Sequence, residues 1–382
     1  KLGFSMSVNI LIEEYKSTDH VVKDELFGTN YLFHRQDVEN FKELVEKFLL
    51  SGARYPGGSI TEEYFDINNP DRVPVEFDEK STENFTGLTD FLEACNSAHV
   101  DPTIVIPTRI ALTVDGKVDE AYLDDLREFI LETMDRCGEG KEFPDISIDA
   151  FEIGNEYWGS GQLTSSQYGL VANSIAKTIQ SAIDSADTNA DDEPKILVQM
   201  GSPVKNGPDF AEGGFFHDLS VDSQRAEDLG LTSHDFLANG ELKWVTKIEV
   251  ANRLIIDQLD SQARAAIDGL VEHYYYTDSY DSNPGLDFTS AAKSYIDLKL
   301  DVWRDEGFDQ GLHLTEWNIH DQNYEQLGLV GSGVLISQIS NMVRMDVESA
   351  NIWPLQHNTS NDIAGHFDED PTLTVTGGAF YL

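Results

Sequence analysis

Basic residues are scarce in this chain: 26 lysines and arginines stand against 69 aspartates and glutamates, a net charge of −43. Such a field repels phosphate backbones and anionic bilayers, which argues against nucleic acid and membrane surfaces as partners. The acidity suits a solvated surface in salty water. Calcium binding would be the sharper use of it, but no calcium-binding nonapeptide repeat and no EF-hand loop is present. Cysteine is nearly absent too. Cys95 and Cys137 fall near the ends of consecutive helical stretches, where a disulfide and two buried thiols are both open readings. No hydrophobic run is long enough to span a membrane, and no signal-type apolar segment follows Lys1. Zinc-type His-Glu-x-x-His or paired-cysteine spacing, a Gly-x-Ser-x-Gly elbow and glycine-rich phosphate loops are all missing. No metal and no cofactor is therefore expected.

What is present is alternation. With 40% hydrophobic and 10% aromatic residues the chain can bury a sizeable core. Strand-like apolar runs read at Leu26–Phe33, Ala53–Tyr55, Thr103–Pro107, Ala150–Asn155, Ile196–Met200, Leu270–Tyr274, Leu312–Thr315 and Ala350–Pro354. Between them lie stretches of helical periodicity at Val38–Leu50, Asn84–Ala98, Glu120–Arg136, Ser165–Ala186, Lys243–Leu259, Thr289–Arg304 and Val330–Met345. Strict alternation predicts a parallel sheet, and eight repeats predict its closure into an α/β (β/α)8 TIM barrel. An open doubly wound sheet would carry a glycine-rich turn after its first strand, which Phe27-Gly28-Thr29-Asn30 does not supply. At 382 residues the chain exceeds the roughly 250 of a bare barrel. The expected division is 1–25 as an N-terminal extension, with Met6–Glu13 as a capping strand or small extra β segment, and 26–382 as the barrel. Thr376–Leu382 reads as an eighth helix cut short, which suggests a longer parent protein. The stretch Ser202–Leu242 is too long for a bare connection and is expected to shape a cleft.

Two glutamates sit where strands run out. Glu156 closes Phe151-Glu152-Ile153-Gly154-Asn155-Glu156, and Glu316 closes Leu312-His313-Leu314-Thr315-Glu316-Trp317-Asn318. By the strand count they end strands four and seven, facing each other across the C-terminal mouth, where barrels of this type carry their chemistry. Paired carboxyl groups about 5–5.5 Å apart are what cleavage of a glycosidic bond with retention requires. Together with Arg54-Tyr55-Pro56-Gly57-Gly58, these motifs make the chain resemble the retaining glycoside hydrolases of clan GH-A, the 4/7 superfamily, over most of its length.

That resemblance implies Glu156 as general acid/base, Glu316 as nucleophile, Asn155 on the sugar 2-hydroxyl and Arg54 holding the nucleophile's charge. It further implies His273 and Tyr275 on strand six as donors to Glu316, and Trp353 on strand eight as a stacking residue. Which tyrosine of Tyr274-Tyr275-Tyr276 faces inward depends on a one-residue register the sequence does not fix. Independently of the family, Trp158, Trp317 and Tyr55 fall beside mouth positions where aromatics could stack on sugar C–H faces. Trp244 and Trp303 belong to helices and read as core. Glu152 lies deeper on strand four, where burial would demand a partner such as Arg54. Arg109, His320, Gln356, His357 and Asn358 are within reach of substrate hydroxyls. A poly- or oligosaccharide is the expected partner, outside the cell or on its surface, and oligomeric state is left open. The alternative is a carbohydrate-binding or surface-layer module on a glycosidase-like barrel that does not turn over.

Overall fold

The strands of this chain put apolar residues on the side that meets the helices and mostly polar ones, with a few apolar ones such as Leu197 and Val271, on the other. In the computed structural model, residues 20–34, 38–77, 85–186, 193–205, 207–212, 214–218, 223–276, 290–320, 328–357, 359–365 and 372–381 are described. Eight parallel strands close a barrel in sequence order: β1 Gly28–Asn30, β2 Gly52–Tyr55, β3 Asp101–Ile106, β4 Ala150–Ile153, β5 Lys195–Gln199, β6 Gly269–Tyr276, β7 Gly311–Ile319 and β8 Ser349–Ile352. Closure comes from β1 against β8, with Gly28 opposite Asn351. The helices that follow each strand are α1 Val38–Phe48, α2 Leu88–Ala98, α3 Glu120–Arg136, α4 Ser165–Ile183, α5 Trp244–Ile256, α6 Ser290–Asp305, α7 Gly328–Arg344 and α8 Val375–Tyr381.

Local chemistry fixes several helix starts. Asp119 caps α3 by accepting from the Ala121 amide, and Thr164 with Gln167 forms a reciprocal capping box at α4. The Val375–Tyr381 stretch is helical, as expected. Its Phe380 ring lies 5.7 Å from Phe27, 5.8 Å from Phe48 and 6.1 Å from Trp317, so α8 packs between α7 and α1 over the outer face of β7. The expected strand at Met6–Glu13 lies outside the described residues. Cys95 and Cys137 are both buried free thiols. Burial raises the Cys95 thiol well above its usual value, and it pushes Cys137 up to about 12.

The barrel interior is layered by polarity. Ala150, Leu197 and Val271 form a small apolar plug. Below it, at the strand N-termini, lies a cavity of about 480 Å³ lined by groups such as Asp149, Lys195 and Glu348. Above it Asn30, Arg54, Glu152, Gln199, His273 and Thr315 are all buried. A polar layer in a core is tolerated as far as it is hydrogen-bonded, and this one, in which Gln199 Oε1 is buried without a partner, builds the floor of the site.

Candidate active site

Arg54, the last inward residue of β2, has no exposed surface and touches four partners. Its Nε and Nη2 donate to both oxygens of Glu152 at 2.7 and 2.8 Å; Nη2 also reaches Asn155 Oδ1 at 2.9 Å. Its Nη1 donates to Glu316 Oε1 at 2.8 Å and to Asn30 Oδ1 at 2.9 Å. Burial alone would favour the neutral guanidine, but the two carboxylates outweigh it and raise its pKa further. The same balance acts on Glu152. Burial pushes its pKa up, and the charge of Arg54 with hydrogen bonds from His273 and Arg54 brings it down to about 2. The Arg54–Glu152 pair expected from strand parity is therefore present, in a bidentate form that a lysine could not reproduce.

A bulge sets the rest. Val271 of β6 pairs with His313 of β7, but His273 pairs with Glu316, so β7 carries one extra residue there. That extra residue lets Thr315 and Glu316 both serve the interior, where strict alternation would allow only one. Thr315 Oγ1 donates to Glu152 at 3.2 Å and lies 3.2 Å from His273 Nε2. Glu316 accepts from Arg54 and, at 2.9 Å, from the Tyr275 hydroxyl. The register thus selects Tyr275 as the inward tyrosine of β6. His273 Nδ1 lies 3.3 Å from Glu156 Oε1 and 3.5 Å from Glu316 Oε2. Burial opposes its protonation, yet the charge of Glu316 and hydrogen bonds to Glu152 and Glu156 raise its pKa to about 10. At neutral pH it is an imidazolium set between the two glutamates.

Glu156 is held differently. Gly154 (φ 79°) and Glu156 (φ 45°) are both left-handed, turning the chain sharply at the top of β4. A Cβ on Gly154 would sit 2.9 Å from Thr108 Cγ2, so glycine is needed for space as well as for φ. The Asn155 amide, buried at the top of this turn, donates at 3.0 Å to Glu62. That carboxylate also accepts from the Thr108 hydroxyl and from the Thr108 and Arg109 amides, each at 2.8 Å. Glu156 itself keeps about a third of its side chain exposed, with 35% relative accessibility. Burial pushes its carboxyl upward, but the hydrogen bond and charge of His273 prevail and lower its pKa. A general acid needs a carboxyl that holds a proton, and here the shift runs the other way: Glu156 is lowered while His273, 3.3 Å away, is raised.

The aromatics divide. Trp353 is half-buried and, with Tyr275, His320, His357, Thr359 and Asn361, lines a cavity of about 240 Å³ beside Glu316, the Tyr275 hydroxyl being shared by both. A Cβ on Gly58 would fall 2.4 Å from Trp353 Cη2, so the Pro56-Gly57-Gly58 turn is the bed on which this indole lies. Trp158 is half-buried just beyond Glu156, with its ring 5.1 Å from that of Tyr157. Trp317 does not belong to the site. It follows Glu316 on a strand, so it points outward, is wholly buried and packs toward Phe380. Tyr55 likewise faces the helices, stacked 4.5 Å from Phe91 with its hydroxyl on the Thr86 carbonyl. Gln356 is buried and turned to the Gly365 carbonyl. Arg109 is exposed, and Asn358 lies outside the described residues. Trp303 is core, donating to Asn252 Oδ1 at 2.7 Å, whereas Trp244, at the start of α5, is 46% exposed.

Sequence reasoning missed Asn30, Glu62, Gln199 and Thr315. Asn30 spans β1, β7 and β8, its Nδ2 donating to the Thr315 and Asn351 carbonyls. Polar residues at inward strand parity were the available signal for Asn30, Gln199 and Thr315, whereas Glu62 sits on the helix Ile60–Tyr64, too short to show a periodicity. Among the described residues, Glu156, His273 and Glu316 are the group whose ligand atoms lie within 4.8 Å of one another, close enough to hold a metal ion. A cation there would compete with His273 for the two carboxylates, whose oxygens lie 3.3 and 3.5 Å from its Nδ1.

No protein-family model and no curated protein sequence matches this chain. Solved structures do. An α-L-arabinofuranosidase from Thermotoga maritima aligns at 18% identity and TM-score 0.59, over 96% of this chain and 71% of its own. A family 51 α-L-arabinofuranosidase from Bifidobacterium longum aligns at 14% identity and TM-score 0.58, over 95% and 73%. An endo-1,4-β-D-mannanase from Thermotoga petrophila aligns at 12% and 0.52, over 93% and 98%. The chain thus has the (β/α)8 fold that these glycoside hydrolases share, and the resemblance to clan GH-A holds at the level of fold.

Proposed function

We propose that this protein is a retaining glycoside hydrolase. One observation carries the reading: carboxylate oxygens of Glu156, in the turn after strand four, and of Glu316, on strand seven, lie within 4.8 Å of each other. That spacing suits direct attack by one carboxylate rather than by an interposed water, which needs about 6.5–9.5 Å. Glu316, fixed through Arg54 and Tyr275, attacks the anomeric carbon and forms a glycosyl-enzyme. Glu156 protonates the departing oxygen, drawing on the proton it shares with His273, and then as a base activates the water that releases the sugar. Asn155 Oδ1 is taken by Arg54, which leaves its amide N–H groups for a sugar hydroxyl. Trp353 supplies the stacking face.

A β-linked poly- or oligosaccharide is the substrate class proposed first. α-L-Arabinofuranosides come second, favoured by the two arabinofuranosidase structures that align over most of the chain. A secreted or cell-surface location suits a polymer, and cell fractionation tests it. A non-catalytic module would need stacking aromatics but no carboxylate pair joined by an imidazolium. The deciding experiment is sugar release from a panel of plant and marine polysaccharides and aryl glycosides by wild type and Glu316→Gln. Release by wild type alone is expected. Release by both removes Glu316 as nucleophile, and release by neither favours the binding module.

A further inference from the structure

Glu62 has no part in the bond-breaking steps above, yet its carboxylate is 4% exposed and carries two donors on each oxygen. Oε1 accepts from Thr108 Oγ1 and the Asn155 amide; Oε2 accepts from the Thr108 and Arg109 amides. These donors come from the turn after β3 and the turn after β4, while Glu62 stands on the short helix Ile60–Tyr64 that follows β2. Three of the four partners are backbone amides, which can only donate, and their hydrogen bonds with that of Thr108 oppose the burial that pushes the Glu62 pKa upward.

The turn it holds is strained. Left-handed backbone at a non-glycine residue is unfavourable and persists only where the surroundings over-determine it. Glu156 is such a residue, one position beyond the amide that Glu62 grips. On the far side the Ser160 hydroxyl donates to the Asn155 carbonyl at 2.8 Å and the Gly159 amide to the Glu156 carbonyl at 2.7 Å. Without Glu62, the buried Asn155 amide loses its partner, and on that side only the Gly154 amide on the Ile106 carbonyl and Arg54 on Asn155 Oδ1 still hold the turn.

We propose that Glu62 is a positioning residue for proton transfer: it fixes the Gly154-Asn155-Glu156 turn so that the Glu156 carboxyl meets the departing oxygen. The inference rests on the reading of Glu156 as acid/base. A displacement of 1 Å at such a group costs on the order of 100-fold in rate. The cost falls only on steps that need the proton.

Aryl glycosides with good and poor leaving groups separate this role from a merely structural one. A 2,4-dinitrophenyl glycoside departs without protonation, whereas an alkyl or unsubstituted phenyl glycoside does not. Glu62→Gln replaces one accepting oxygen by an amide NH2 set against N–H donors. It should lower kcat/KM about 10- to 100-fold on the poor leaving group and less than about 3-fold on the good one. Thr108→Val removes one of the four bonds and keeps both backbone donors. It should show the same selectivity at about 3- to 10-fold on the poor leaving group, and it decides the matter if Glu62→Gln does not fold. Equal losses on both substrates, in step with the folded fraction in thermal unfolding, would overturn the proposal. Glu156→Gln is the reference. If it too lacks leaving-group selectivity, the acid/base assignment itself fails. If it shows selectivity and the other two variants do not, only the role of Glu62 falls.

Discussion

Replacing Arg54 by methionine would leave Glu152 as a buried carboxylate without its bidentate partner, since neither side chain has any exposed surface. Breaking a buried pair by removing one member costs about 3–5 kcal/mol, because the remaining charge stays desolvated. For a domain of this size that corresponds to roughly 4–6 °C in Tm. Neutralising the survivor should reverse much of it: Arg54→Met/Glu152→Gln is expected to recover at least ~2 kcal/mol relative to Arg54→Met, the coupling expected of residues in direct contact. Activity should not return with stability. Both variants strip Glu316 and Asn155 of the guanidinium that orients them, so kcat/KM should stay down by at least ~100-fold. Thermal and urea unfolding of wild type, both single variants and the double variant give the cycle. An Arg54→Met loss below about 1 kcal/mol, or a double variant no more stable than Arg54→Met, would refute the account of the barrel floor.

Three further outcomes are expected. His273 has a folded pKa of about 10 against an ordinary 6.5, so its stabilisation is full below pH 6.5 and is lost as pH rises toward 10. The difference in Tm between wild type and His273→Asn should therefore shrink across that window, and a constant difference would contradict a buried imidazolium. Gly154→Ala puts a Cβ 2.9 Å from Thr108 Cγ2 at φ 79°, and should cost about 1–3 kcal/mol with a loss of activity; unaltered unfolding and kinetics would show that the turn adapts. With a net charge of −43, Tm should rise with NaCl and level off as the Debye length falls toward about 3 Å near 1 M. A flat or falling curve would show that the acidic surface does not strain the folded state.

Elements with long periodic patterns were legible from sequence almost to the residue. Glu120–Arg136 is a helix with those bounds, and all eight strands fall where apolar runs were read. The pairing of Glu152 with Arg54 followed from parity and burial alone. The bulge in β7 was not legible. A period of two assigns Thr315 and Glu316 to opposite faces, and the extra residue that admits both to the interior depends on pairing with β6, which no local signal encodes. Trp317 was misplaced because stopping the strand at Thr315 hid its outward parity. Trp244 was misread as core because helical membership does not say which end of a helix stands clear of its neighbours. Glu62 escaped notice because its value lies in four donors from distant turns, contacts that exist only after the barrel has closed.

The central claim is that Glu316 attacks the sugar directly, and the configuration of the first-formed product tests it most directly. Proton NMR of the anomeric signals, recorded within the first minutes of hydrolysis of a cleaved substrate, reads that configuration before mutarotation. A first product with the anomeric configuration of the substrate is predicted from carboxylate oxygens within 4.8 Å of each other. A first product of inverted configuration would contradict the account and assign Glu316 to the activation of water instead.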